Sequence, residues 1–119
     1  MIEALPSDVA DVLDVLLSGD DPVHAALRRQ VPHLRVTGRC ACGCGTAYFD
    51  LDTASVQPAP SGPGTVVAAE ARFRTGSGEL PGEVLVFAAA GYLSWLEVVS
   101  WDFDDSGTTL AMARHALRR

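Results

Sequence analysis

Between Val84 and Trp101 lie two strand-length apolar runs separated by little more than Ala90-Gly91. Val84 to Ala90 is apolar at every position. In an extended backbone such a run is apolar on both faces, as expected for a central strand. Tyr92 to Trp101 reads as the last long strand, and so short a link makes an antiparallel hairpin the expected pairing. A chain carrying this hairpin must build a sheet around it and cover at least one of its faces.

The remaining segments supply both. Leu5, Val9, Val12, Leu13, Leu16 and Leu17 recur at helical spacing, with Ser7 as expected N-cap, Asp8 in the first turn and Gly19 as a stop. Asp8, Asp11 and Asp14 point away from that apolar stripe and read as a solvated face. Asp21-Pro22 starts a second helix through about Arg29, burying Val23 and Leu27 and leaving His24 on the surface. Pro32 blocks its continuation. From His33 the period becomes two, with Leu34 and Val36 opposed to His33, Arg35, Thr37 and Arg39. Ala47, Phe49 and Leu51 mark a second strand, and Val67, Ala69, Ala71 and Phe73 a half-buried third.

Thr53 to Gly64, rich in Pro, Gly and Ser, reads as a mobile loop. Thr108 or Thr109 is positioned to cap a last helix carrying Leu110, Ala113 and Leu117. The expected fold is a single α+β domain over residues 1–119. Two N-terminal helices pack on an antiparallel sheet of about five strands, with a short C-terminal helix. Strands joined in sequence by turns favour a meander. Leu13, Leu16, Val36, Phe49, Phe73 and Leu96 form its expected core.

The net charge of −6 disfavours nucleic acid and anionic membranes as partners and favours a protein with a basic surface. No apolar run reaches the ~20 residues of a membrane span, and Met1 to Pro6 lacks the pattern of a signal peptide. The expected location is the cytoplasm. Lys and Asn are absent, and every basic side chain is Arg or His. With so much Ala, Gly, Val and Asp this looks like the codon bias of a GC-rich bacterial genome, and it carries no functional information.

All three cysteines fall in Arg39-Cys40-Ala41-Cys42-Gly43-Cys44-Gly45. In an extended backbone Cys40, Cys42 and Cys44 share the side of Leu34 and Val36. Gly43 and Gly45 let the chain turn tightly instead and bring the sulfurs together. Three thiolates bind Zn²⁺ when a fourth ligand joins them, and His33 and Asp50 are candidate donors. Structural zinc sites usually draw paired ligands from two separated knuckles, and no second CxxC or HxxxH is present. Thiols without metal are therefore the favoured reading, with a zinc-binding or thiol-redox module as the alternative. A bridge between cysteines two apart would close a small, strained and easily reduced ring.

This cysteine segment is followed by Ala89-Ala90-Gly91-Tyr92-Leu93-Ser94-Trp95-Leu96-Glu97-Val98. Together they resemble a group of small bacterial proteins of unknown function, in which a CxCGC-type segment precedes a strand with Gly, Leu and Leu-Glu-Val. The resemblance spans roughly positions 35 to 103 and implies no catalytic residue.

One face of the last strand would carry Leu93, Trp95, Glu97, Val99 and Trp101. A carboxylate between two tryptophans could serve as a general base if desolvated. The plainer reading is an exposed face, with the aromatics shielding strand edges or meeting Arg72 or Arg74. Trp95, Glu97 and Trp101 are the candidate binding surface. Arg35, Arg39, Arg72 and Arg74 would share a face if their strands were neighbours. No P-loop, GxGxxG, HExxH or Ser nucleophile elbow is present. These observations favour a non-enzymatic protein-binding domain. Small acidic bacterial α+β proteins include immunity proteins that neutralise toxins, an analogy of size and charge alone.

Overall fold

A computed structural model describes residues 3–41, 44–73, 82–100 and 109–117. Its elements are β1 (Glu3–Ala4), α1 (Ser7–Leu16), α2 (Pro22–Gln30), a 3-10 turn (Val31–His33), β2 (Arg35–Arg39), β3 (Ala47–Asp50), β4 (Thr65–Phe73), β5 (Gly82–Ala89), β6 (Tyr92–Ser100) and α3 (Leu110–Leu117). The fold is α+β. Asp21 caps α2 as expected, accepting the His24 backbone N–H at 3.0 Å. Thr109 Oγ1 likewise accepts the Met112 N–H at the start of α3. Ser7 does not cap α1. Pro6 takes the cap position with extended backbone, and Asp8 accepts the Val9 N–H instead. Proline suits a helix start because it has no N–H to leave unsatisfied.

The strands lie in the order β1-β2-β3-β6-β5-β4, and every neighbouring pair is antiparallel. This corrects the simple meander. β2 and β3 form one hairpin, β4 to β6 form a three-strand meander, and β6 joins the two by pairing with β3. Residues 51–64 carry the chain from β3 to the far edge, where β4 begins. Doubly apolar β5 and β6 thereby occupy the interior of the sheet. β1 went unforeseen, since a two-residue strand carries no period.

The core fills one side of the sheet. Val9, Val12, Leu13 and Leu16 from α1, Ala26 and Leu27 from α2, and Leu110 and Ala113 from α3 meet Val36, Phe73, Val84, Val86, Leu96 and Val98. Each fully buried Leu or Val contributes about 1.5–3 kcal/mol relative to exposure. Of the expected core, only Phe49 stays half-buried at its margin.

Three β-bulges correct the expected faces. The register slips at Thr37 in β2, at Ala68 in β4 and at Ser94 in β6. An extra residue on one strand resets the alternation beyond it. So Val66 packs on the core while Val67 is 47% exposed. Leu93 is buried with Leu96 and Val98, while Trp95, Glu97 and Val99 take the opposite side. In β2 the slip turns Arg39 toward α1, where its guanidinium lies 3.5 Å from Asp8.

Gln30 ties the layers together and has no apolar pattern to betray it. Its side chain is completely buried. Nε2 donates to the carbonyls of Gln57 and Gly91, and Oε1 accepts the Leu93 N–H at 2.9 Å. One amide thus joins α2 to the β5–β6 turn and to the loop of residues 51–64. In that turn Ala90 and Gly91 have φ of 51° and 87°, the left-handed pair of a type I′ hairpin. A Cβ at Gly91 would lie 2.5 Å from the Ala59 carbonyl oxygen, so the loop rests directly on the glycine. The loop has no helix or strand, as expected, yet Ala59 is buried and its N–H donates to Gly91. It is anchored at its middle rather than loose throughout.

His24 is also not a plain surface residue. Its Nε2 lies 2.9 Å from the Ala68 carbonyl oxygen, in hydrogen-bond contact with the β4 bulge. At the other end of α2, Arg28 donates to the Leu17 and Gly19 carbonyls and closes the end of α1.

Replacing Gln30 with Leu keeps the volume but strands buried backbone groups, each worth about 1–3 kcal/mol. The variant should show a clearly lower chemical-denaturation midpoint, and an unchanged midpoint would mean the amide is not a tie. The Asp21 carboxyl is held below its ordinary value of 3.8, chiefly by the His24 N–H. A depressed pKa adds stability above that ordinary value and loses it as pH falls through the folded one. Asp21→Ala should therefore lower the Tm at neutral pH, with the gap from the parent narrowing in acid. A gap independent of pH would contradict the cap.

Candidate functional site

The three helices pack on one face of a sheet whose central strands are apolar on both. On the other face, one register row runs Val67–Phe87–Trp95–Tyr48–Gly38 across β4, β5, β6, β3 and β2. None of these side chains belongs to the core cluster. Tyr48 and Val67 are each 47% exposed, and no other large apolar side chain among the described residues is as open. Phe87 and Trp95 are half-buried and stacked, with centroids 4.2 Å apart and planes 13° apart. They are cross-strand partners in the interior of the sheet, so the aromatics do not shield its edges.

Carboxylates flank this row. Glu97 stands two residues along β6 from Trp95, and its Oε1 accepts the indole N–H at 3.4 Å. Leu85 is directly opposite Glu97 and Glu70 opposite Leu85. Glu83 follows, 3.9 Å from the Arg72 guanidinium. Asp50 faces Arg35 across β2 and β3. Among the described residues the face therefore carries Asp50, Glu70, Glu83 and Glu97 against Arg35 and Arg72, a net negative surface. Among the described residues the cross-strand neighbour of Glu97 on β5 is Leu85, neither a second acid nor a histidine. Of the residues singled out in the sequence, Trp95 lies in this row and Glu97 beside it, while Trp101 lies outside the described residues. Tyr48, Val67 and Phe87 carried no such signal in the sequence, because the row exists only through pairings between distant strands.

Among the described residues the condition for an arginine cluster, neighbouring strands, is not met. Arg35 and Arg72 lie on β2 and β4, with β3, β6 and β5 between them, and Arg39 turns to the helix side. Arg74 lies outside the described residues.

The cysteine turn sits at one end of the β2–β3 hairpin. Cys40 and Cys44 are half-buried, and Cys42 lies outside the described residues. The Thr46 carbonyl accepts the Cys40 N–H, and Thr46 Oγ1 accepts both the Cys44 thiol at 3.3 Å and the Val98 N–H at 3.0 Å. Leu110 of α3 donates its N–H to the Cys44 carbonyl at 2.7 Å. The turn is thus a bracket joining sheet and C-terminal helix. Asp50 pairs with Arg35 at the opposite end of this hairpin, about 15 Å away at the rise of a strand, and His33 precedes it. Neither lies beside the Cys40 or Cys44 sulfur. Among the described residues no three His, Cys, Asp or Glu side chains converge as a metal-holding group.

A cleft of about 550 Å³ lies at that opposite end, lined by His33, Arg35, Asp50, Asp52 and Ser55 among others. Its most engaged group is Asp52. The Ala54 N–H, then the Ser55 hydroxyl, hold its carboxyl below the ordinary range. That carboxylate is occupied in closing its own turn.

No protein-family model matches the chain, and no curated protein or solved structure matches it significantly. The site is thus read from its own geometry.

The bracket makes a sharp prediction at Gly45. Its φ is +102°, and a Cβ there would collide with the Leu110 Cβ. Gly45→Ala should lower stability by at least about 1–2 kcal/mol, the cost of left-handed backbone alone. Hydrogen exchange should show α3 amides opening first. A variant as stable as the parent would mean that the turn and α3 are not joined.

Proposed function

We propose that this chain is a non-enzymatic protein-binding domain that docks a partner with a basic surface on the helix-free face of its sheet. The observation that carries the reading is the row Val67–Phe87–Trp95–Tyr48, apolar, clear of the core cluster and bordered by carboxylates. Contiguous exposed apolar surface rimmed by polar groups is costly in water and marks interaction sites. Aromatic side chains concentrate binding energy because they bury large area with few rotors. The net charge of −6 and the acidic bias of this face favour a basic partner and faster encounter with it. A toxin-immunity role is one concrete form of this reading, supported by size and charge.

The test is site-specific photocrosslinking in the native cell, with p-benzoylphenylalanine at position 67 on the sheet face and at position 29 on exposed α2. The expected result is one discrete adduct at position 67 and none at position 29. The identified protein, purified separately, should bind the parent, and Val67→Glu should weaken that binding at least about tenfold without lowering the Tm. Adducts equal at both positions, or binding indifferent to Val67→Glu, would overturn the proposal.

A further inference from the structure

The helix-free face is ordered in rows that run across the strands, and two of them differ in chemistry. Val67, Phe87, Trp95 and Tyr48 stand one per strand on β4, β5, β6 and β3. Neighbouring strands lie about 4.8 Å apart, so this apolar row is about 14 Å long. The next row toward the end of β6 is Glu70–Leu85–Glu97, on β4, β5 and β6. On β5 and β6 it lies two residues from the apolar row, about 7 Å along the strands. Glu97 is held beside the apolar row by the Trp95 indole N–H at 3.4 Å. Beyond it, Glu83 and Arg72 pair at 3.9 Å. On the opposite side of the apolar row stand Thr65, Ala89 and Tyr92, which carry no charge at neutral pH, and the opposed pair Asp50 and Arg35. Among the described residues the excess of carboxylates therefore lies along one side of the row.

We infer that the docked element of the partner is an amphipathic α-helix lying along the apolar row, with a basic stripe over Glu70 and Glu97; the inference rests on the docking reading above. The backbone donors and acceptors of interior strands lie in the plane of the sheet and are spent on their neighbours. An element laid on the face must therefore satisfy its own backbone groups when it excludes water, and a helix does so. The spacing agrees. An apolar stripe at i, i+3, i+7 and i+10 of a helix spans about 15 Å, one side chain for each of the four strands. An extended segment presents one side chain per face about every 7 Å and falls out of step with strands about 4.8 Å apart. A helix about 10 Å across covers both rows, so basic residues along one side of its apolar stripe fall over the carboxylates. Face-to-face pairing of two copies of this chain is opposed by the like excess of carboxylates on both.

The probe is a capped peptide of about four helical turns, with leucine at i, i+3, i+7 and i+10, arginine along one side of that stripe and glutamine elsewhere. It is titrated into the full chain while the Trp95 indole N–H resonance, assigned by its loss in Trp95→Phe, is followed. One comparison peptide has the same composition with leucine at every second position, the period of a strand. The other keeps the helical pattern with glutamate for arginine. The basic helical peptide should give saturable shifts, and each comparison should bind at least about tenfold more weakly. Glu70→Arg, on an exposed side chain, should weaken the basic peptide at least about threefold with an unchanged Tm. Equal binding of either comparison peptide, indifference to Glu70→Arg, or no shift with any peptide would each overturn the helix. So would concentration-dependent shifts of the protein alone, which mark a second copy on this face. The crosslinking at position 67 still decides the docking face by itself, so the two readings fail separately.

Discussion

Two interior strands with apolar side chains on both faces, and described helices that all cover one, set the terms for this protein. β5 and β6 bury Val84, Val86, Ala88, Leu96 and Val98 beneath α1, α2 and α3. Their other sides carry Leu85, Phe87, Trp95 and Val99, and these lie outside the core cluster. A sheet with one solvated face ordinarily alternates apolar with polar residues. Here the second face is partly apolar and partly acidic. The stacking of Phe87 on Trp95 shelters some of that surface. What remains is the surface on which the proposed docking rests.

The rest of the molecule holds this face in register. Gln30 fastens α2 to the β5–β6 turn, and Ala59 and Gln57 pin the long crossing loop to the same point. At the other side of the sheet the cysteine turn fastens β2, β3 and β6 to α3 through Thr46 and the Cys44 carbonyl. Both fasteners are polar, buried or half-buried, and made between segments far apart in sequence. Hydrogen bonds of this kind add modest stability each but specify one arrangement, since losing a partner leaves a buried group unsatisfied.

The element types were largely legible in the sequence because each rests on local signals. The helical spacing of Val9, Val12, Leu13 and Leu16, the Asp21-Pro22 start and the tight Ala90-Gly91 link all act within a few residues. The site was legible only in part. Trp95 and Glu97 stood out as an aromatic beside a carboxylate, but the row that gives them meaning needs β6 to lie between β3 and β5. No local rule supplies that order, and turn-joined strands argued for a plain meander instead. The bulges at Thr37, Ala68 and Ser94 are equally silent, and each reverses the faces beyond it, which is why Val67 emerged on the wrong side of expectation. The cysteine spacing, the most conspicuous chemical signal in the chain, belongs in the described residues to a structural bracket two residues along β2 and β3 from the Gly38–Tyr48 pair.

The central claim is that the helix-free face, and the Trp95 position above all, is where a partner binds. The most direct measurement is the Kd of the captured partner for Trp95→Ala and Tyr48→Ser, beside Arg29→Ala on exposed α2, all checked for unchanged unfolding. Both sheet-face substitutions should raise the Kd at least about tenfold, with Arg29→Ala within about twofold of the parent. Equal effects from the two faces, or loss confined to Arg29→Ala, would contradict the account.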